Sequence, residues 1–278
     1  MSNRCNICIE ESCKGANYNC NCDTCKLKYE CNKVLRATIR ITNKCTQSCS
    51  HCCFESSPKK TSMMTVDTAE NVAKFLRSNN IEFLNLMGGE FFCNPDWYWI
   101  LDVLISTSTY SRLVSNGDWV NDDSVKCGLR RLHEKYGDSF VIHISKDKWH
   151  TNKHVDDALD YLNSIGVICK CTKPEEATND SIVPIGRSEL NSFGFYSMVA
   201  CYCHNPKNKY SFLIGEDGDI YKCPMGTYRY ANITEFLNGG FDKVFKKVNM
   251  KFHGVFIPSC RTCRRFFERE DLCINNNL

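Results

Sequence analysis

The chain has 278 residues, 42% of them hydrophobic and 24% charged, which is the balance of a folded protein with room for one large and one small core. A net charge of +3 is too small to argue for nucleic acid or an anionic membrane as partner, and no run of 18 apolar residues offers a membrane span. The opening MSNRCNICIEESCKG lacks the apolar stretch of an export signal, so we expect a cytoplasmic protein.

Cysteine is the anomaly, at 21 residues. In a chain this long, with no export signal and several C-x2-C spacings, metal or iron–sulfur ligation is favoured over a disulfide framework, which stays open as the alternative. Taken in chain order, Cys5, Cys8, Cys13, Cys20, Cys22, Cys25 and Cys31 crowd a first segment, residues 1–33, that has few other apolar residues. Such a segment needs a bound metal to fold.

From residue 34 a strand–helix rhythm begins. VLRATIRI, residues 34–41, alternates as a strand does; residues 65–78 place Val66, Ala69, Val72, Ala73 and Leu76 on one helical face. Further strands are expected at 81–87, 110–114, 140–144, 167–170 and 181–185, the last at an edge because of Pro184. Helices are expected at 96–105, 123–136 and 155–165, the last capped by Gly166. The alternation implies a parallel α/β sheet, open or partly closed, with its chemistry at the C-terminal ends of the strands. The segments CTQSCSHC, GGE, SNG and SKD each follow a strand directly. After residue 190 the rhythm stops: 210–214 and 220–222, joined by GEDGD, read as a β-hairpin, and 234–245 as partly helical.

Cys45, Cys49 and Cys52 stand at C-x3-C-x2-C, three soft donors on one loop. Structural zinc and electron-transfer clusters want four. Three thiols after a first strand and Gly88-Gly89-Glu90 after the second resemble the radical S-adenosylmethionine (SAM) superfamily. The resemblance implies a partial (β/α)6 barrel over residues 34–190. It also implies a [4Fe–4S] cluster on Cys45, Cys49 and Cys52, whose open iron chelates SAM, and a 5′-deoxyadenosyl radical that abstracts hydrogen from a substrate. Gly88 and Gly89 would lie along the methionine moiety, with Glu90 or backbone near its ammonium. His51 would pack on the adenine, and Ser115, Asn116 and Ser145 would lie near the ribose. Asp147 and His150, in SKDKWH, are the candidate proton or hydrogen donors.

The last third, residues 191–278, resembles the SPASM extension of that superfamily, shading towards the shorter twitch form. Cys203 is followed by 14 residues, Gly218, four residues and Cys223; Cys260 and Cys263 give C-x2-C, Arg269 stands where a third cysteine is due, and Cys273 falls in register. By this resemblance Cys201, Cys203, Cys223 and Cys273 hold an auxiliary iron–sulfur cluster in a small β-hairpin/helix domain. Cys260 and Cys263 keep half of a second set. The seven N-terminal cysteines complete that second cluster, hold a cluster of their own, or bind zinc. The substrate expected is a ribosomally made peptide, modified by crosslinking, thioether formation or epimerisation; the alternative is dehydrogenation of an aminocyclitol or sugar. An electron donor such as flavodoxin or ferredoxin is implied; nucleic acid and membrane are not.

Overall fold

The protein is described from a computed structural model, which defines residues 36–171, 187, 191, 211–221 and 229–237. The expected strand at 181–185 lies outside these residues, as does most of the expected helix at 234–245, of which Ile233–Phe236 is a single 3-10 turn.

Four βα units follow one another. Strand β1 (Arg36–Arg40) leads by a long loop to α1 (Val66–Ser78), then β2 (Phe83–Met87), α2 (Trp97–Ile105), β3 (Tyr110–Ser115), α3 (Asp123–Tyr136), β4 (Phe140–Ile144), α4 (Val155–Ser164) and β5 (Cys169–Cys171). Two of the helix starts are marked by side-chain caps. Thr65 accepts from the Thr68 amide ahead of α1, and Asp122 accepts from the amides of Ser124 and Val125 ahead of α3. Each helix buries one stripe, for example Ala69, Val72, Ala73 and Leu76 of α1, against the sheet.

Strands β1 to β5 are all parallel, in the order β5-β4-β3-β2-β1. On β2, Leu84 and Leu86 are fully buried under the helices, while Phe83, Asn85 and Met87 face the other way and are half-buried. Register aligns that second face into rows: Arg36, Phe83 and Tyr110 in one, Thr38, Asn85 and Arg112 in the next. The sheet is thus two-sided, with an apolar face towards the helices and a more polar face opposite.

The hairpin of the last third is not separate from this sheet. Its first strand β6 (Ser211–Ile214) pairs parallel with β1, Arg36 opposite Ser211, and so takes the place beside β1; β7 (Asp219–Tyr221) and β8 (Arg229–Asn232) then continue antiparallel. Phe212, Leu213 and Ile214 are all buried, as expected of a strand covered on both faces. At the hairpin turn Glu216 accepts from Arg40 Nε at 2.6 Å and from Ser62 Oγ at 2.7 Å, tying the turn to the end of β1 and the loop after it. Among the described residues, no helix is long and apolar enough to cross a membrane.

Candidate cofactor and metal site

The loop after β1 carries the three cysteines and is pinned at its base. Thr42 bridges to Met63 and Lys44 to Ser57, and the Cys45 amide donates to the Ser57 carbonyl at 3.1 Å. Beyond that base the loop curls, with the Cys52 amide on the Cys49 carbonyl at 3.2 Å and Glu55 in the left-handed region at φ 54°. Cys45 is buried, Cys49 and Cys52 are half-buried, and all three are free thiols.

Gly88 and Gly89 lie directly against that base. The Gly89 amide donates to the Thr42 carbonyl and the Glu90 amide to the Lys44 carbonyl, both at 2.8 Å. A Cβ on Gly88 would meet the Thr42 oxygen at 2.6 Å, and one on Gly89 the Lys44 oxygen at 1.9 Å. Only glycine lets the two strand ends lie this close. The Glu90 side chain turns inward, 1% exposed, and accepts from Ser115 Oγ at 2.9 Å and from the Asn116 amide at 2.8 Å. Ser115 and Asn116 are therefore bound to the GGE turn, and Gly117 supplies the positive φ of 82° that swings the chain away.

Asn116 reaches back to the cysteines. Its Nδ2 donates to Thr46 Oγ1 at 2.9 Å and lies 3.8 Å from Cys45 Sγ, which also accepts from the Gln47 amide at 3.4 Å. Gln47 Nε2 donates to Asp118 at 2.9 Å, while its Oε1 accepts from the Cys49 thiol at 3.4 Å and the Thr151 amide at 3.0 Å. Thr46 Oγ1 also donates to Asp118. The ends of β1, β2 and β3 and the loop after β4 are thereby joined in one polar network around the thiols.

Burial pushes the Cys45 thiol up to about 12 and the Cys49 thiol up to about 11, and the neighbouring thiolates add to both shifts. Burial therefore favours the protonated thiol at Cys45 and Cys49, and a cationic centre that replaced those protons would remove the conflict. Soft donors, three in number, with N–H groups aimed at one sulfur, fit a [4Fe–4S] cluster that keeps one iron open.

Glu90 shows the same effect of burial, its carboxyl pushed up to about 7 against the pull of its bonds to Asn116 and Ser115. Its folded pKa is above its unfolded one, so its contribution to stability is fully present below about pH 4.5 and is lost as pH rises towards 7. Replacing Glu90 with Gln should remove a decline on the order of 3 kcal/mol across that window. Urea unfolding of both proteins at several pH values measures it; parallel pH curves for the two would contradict this.

His51, Asp147 and His150 come together on the far side of the loop. The His51 ring lies 5.2 Å from Trp149 and edge-on at 4.9 Å to His150. Asp147 Oδ2 is 2.8 Å from His150 Nδ1 in a bent contact, closer to charge pairing than to a directed hydrogen bond, and Asp147 Oδ1 accepts from the Trp149 and His150 amides. Burial works to raise the Asp147 carboxyl, but the His150 ring outweighs it and holds the group below its usual range. Burial, then the His150 charge, lowers His51. Ligand atoms of the three residues lie within 4.8 Å of one another, although both Asp147 oxygens are already engaged. The Ser145 amide donates to the Ser115 carbonyl at 2.9 Å, which sets Ser145 beside the SNG turn.

The structure thus brings together Cys45, Cys49, Cys52, Gly88, Gly89, Glu90, Ser115, Asn116 and Ser145, with His51, Asp147 and His150 adjoining them. Cys5, Cys8, Cys13, Cys20, Cys22, Cys25, Cys31, Cys201, Cys203, Cys223, Cys260, Cys263 and Cys273 lie outside the described residues. Sequence reasoning missed Thr46, Gln47, Asp118, Trp149 and Arg187. Gln47 and Asp118 were findable only by their position next to the singled-out cysteines and SNG; Arg187 stands in PIGRS but far from the loop in sequence.

Residues 39–172 match the family described as the Radical SAM superfamily. The chain is 27% identical over 139 residues to "Antilisterial bacteriocin subtilosin biosynthesis protein AlbA" of Bacillus subtilis (strain 168), a match that covers 50% of this chain and 30% of that protein. It is 25% identical over 258 residues to "Putative peptide biosynthesis protein YydG" of the same organism, covering 76% of each. Among solved structures, BtrN in complex with AdoMet and 2-DOIA aligns with a TM-score of 0.56 at 12% identity, over 76% of this chain and 82% of that one. The structure of anSMEcpe with bound AdoMet aligns at 0.51 and 14% identity, over 76% and 80%. These two likenesses are of fold alone.

Proposed function

We propose, from the Radical SAM domain matched over residues 39–172, that this chain modifies a ribosomally made peptide by hydrogen abstraction. The observation that carries the reading is three free thiols on the loop after β1, locked to the GGE turn, in a protein whose relatives are named for bacteriocin and peptide biosynthesis. When bound on these thiols, a [4Fe–4S] cluster with SAM would supply the one-electron chemistry that starts hydrogen abstraction from the substrate.

Cys45, Cys49 and Cys52 hold the cluster, with the Gln47 amide and Asn116 Nδ2 aimed at the Cys45 sulfur. The cradle at Gly88 and Gly89 offers backbone to the methionine end of SAM, while Glu90 fixes Ser115 and Asn116 on the ribose side together with Ser145. His51 and Trp149 offer ring faces for the adenine. Asp147 pairs with His150 Nδ1 and so leaves Nε2 of that ring as the proton-transfer atom.

In this reading residues 191–278 hold an auxiliary cluster on Cys201, Cys203, Cys223 and Cys273, and residues 1–33 a further cluster or zinc. A flavodoxin- or ferredoxin-type donor supplies electrons in a reducing cytoplasm, where the thiols stay free. Dehydrogenation of an aminocyclitol or sugar is the alternative; the likeness to BtrN is one of fold and does not bring that substrate class with it.

Anaerobically reconstituted, reduced protein should form 5′-deoxyadenosine faster with the host's peptide fraction than with its small-metabolite fraction. Stimulation by small metabolites alone would transfer the reading to the dehydrogenase; none with either, on a loaded cluster, would end it. Replacing His150 with Gln should slow peptide product formation about 100-fold while SAM cleavage continues, which mass spectrometry of peptide and nucleoside resolves.

A further inference from the structure

The segment that follows the βα units grips the cysteine loop through two residues. The Asn191 amide donates to the Arg187 carbonyl at 2.9 Å, an i to i+4 bond that brings the two residues together. Both meet the loop. Arg187 Nε donates to the Cys49 carbonyl at 2.8 Å, its Nη2 to the Ser56 carbonyl, and its own amide to the Cys52 carbonyl at 3.1 Å. Asn191 Nδ2 donates to the Ser50 carbonyl at 2.9 Å.

Four carbonyls of the loop, at Cys49, Ser50, Cys52 and Ser56, are thus satisfied from a stretch more than 130 residues away in sequence. Two of them, at Cys49 and Cys52, also accept an amide of the loop itself, from Cys52 and Glu55; an unpaired buried carbonyl is costly, so the outside donors weigh most at Ser50 and Ser56. A planar guanidinium reaches two of them at once, Cys49 and Ser56, and so fixes the spacing between the two ends of the curl; a lysine ammonium cannot make that fork. The same group brings one positive charge to the outer side of a loop that would carry three thiolates.

We propose that Arg187 is a positioning residue of the cysteine loop, which holds Cys49 and Cys52 in place for their cluster and, as a nearby cation, favours its reduced, more anionic state. This rests on the reading of Cys45, Cys49 and Cys52 as cluster ligands. Asn191 supports the same curl through the Ser50 carbonyl, without charge.

The test uses the full chain, reconstituted anaerobically, as wild type, Arg187→Lys, Arg187→Met and Asn191→Ala. The triple Cys45→Ala, Cys49→Ala, Cys52→Ala protein supplies the iron signal of any other site. Two readouts are followed: iron release to a chelator, and the midpoint of an EPR-monitored redox titration. Arg187→Met should release loop iron about tenfold faster, and its midpoint should become more negative by a roughly tenfold change in the reduction equilibrium, about 59 mV for one electron. Arg187→Lys should keep the midpoint but release iron faster than wild type, because the charge stays and the fork goes. Asn191→Ala should speed release without moving the midpoint. If Arg187→Met does not fold, faster release from Arg187→Lys still supports the proposal, and release at the wild-type rate overturns it. A soluble Arg187→Met protein with unchanged release and midpoint overturns it as well. Wild type that binds no more iron than the triple variant would instead overturn the cluster reading itself, and this proposal with it.

Discussion

Replacing Cys49 with alanine is expected to remove the iron of one cluster, about four atoms per chain, and to bring 5′-deoxyadenosine formation below detection. Two thiolates cannot hold the three corners that this loop is built to hold, and the two neighbouring thiols are off the C-x3-C-x2-C spacing: Cys53 directly follows Cys52, and Cys93 lies in the turn after β2. Cys93 is half-buried behind Glu90, with its thiol pushed up to about 11 by burial and the Glu90 charge. Cys53 already has an interaction of its own. The fold should survive, because the Cys49 side chain makes one hydrogen bond, to Gln47, and lies outside the core. Far-ultraviolet circular dichroism and iron analysis on the same sample separate loss of ligand from loss of fold. Full iron content with continued nucleoside formation would overturn the assignment.

Gly89→Ala should be the most damaging small substitution in the barrel. The added methyl would sit 1.9 Å from the Lys44 oxygen and 2.5 Å from its carbon, both backbone, so neither neighbour has a rotamer to escape into. Relief requires parting the strand ends, which breaks the 2.8 Å bonds of Gly89 to Thr42 and Glu90 to Lys44 and carries the buried Glu90 off its partners. We expect at least about 3 kcal/mol of destabilisation, a fall in Tm of about 6–12 °C for a chain of this size. Retention of loop iron should fall with it. A Tm within a degree of wild type would show that the strand ends can separate freely.

The βα rhythm was legible because local signals mark several of its units. Thr65 and Asp122 mark helix starts, Gly166 marks an end with φ 79°, and the apolar stripes have helical period. Residues 123–136 and 140–144 form the helix and strand expected of them, and C-x3-C-x2-C with GGE was visible as spacing. The place of the hairpin was not. SFLI reads as a buried strand whether it pairs within a small domain or joins a larger sheet, and its parallel pairing with β1 is decided by tertiary packing. Glu90 was singled out for its position, yet only the fold shows that its carboxylate turns inward to Ser115 and Asn116. The grip of Arg187 on Cys49 and Ser56 spans too much sequence for any local pattern to announce it.

The place of β1 has a consequence for synthesis. One edge of β1 is covered by β2 soon after it leaves the ribosome, but its other edge waits for β6, which begins at Ser211. At 5–20 residues per second that edge, with Ala37 and Ile39 in its middle, stays open for roughly ten to thirty seconds. An open apolar strand edge is a template for pairing with another chain. Nascent chains crowded on one polysome, or products ending before residue 211, would meet this hazard most. Slow translation between residues 172 and 210 would lengthen it, whereas a chaperone that shields β1 until β6 emerges would relieve it.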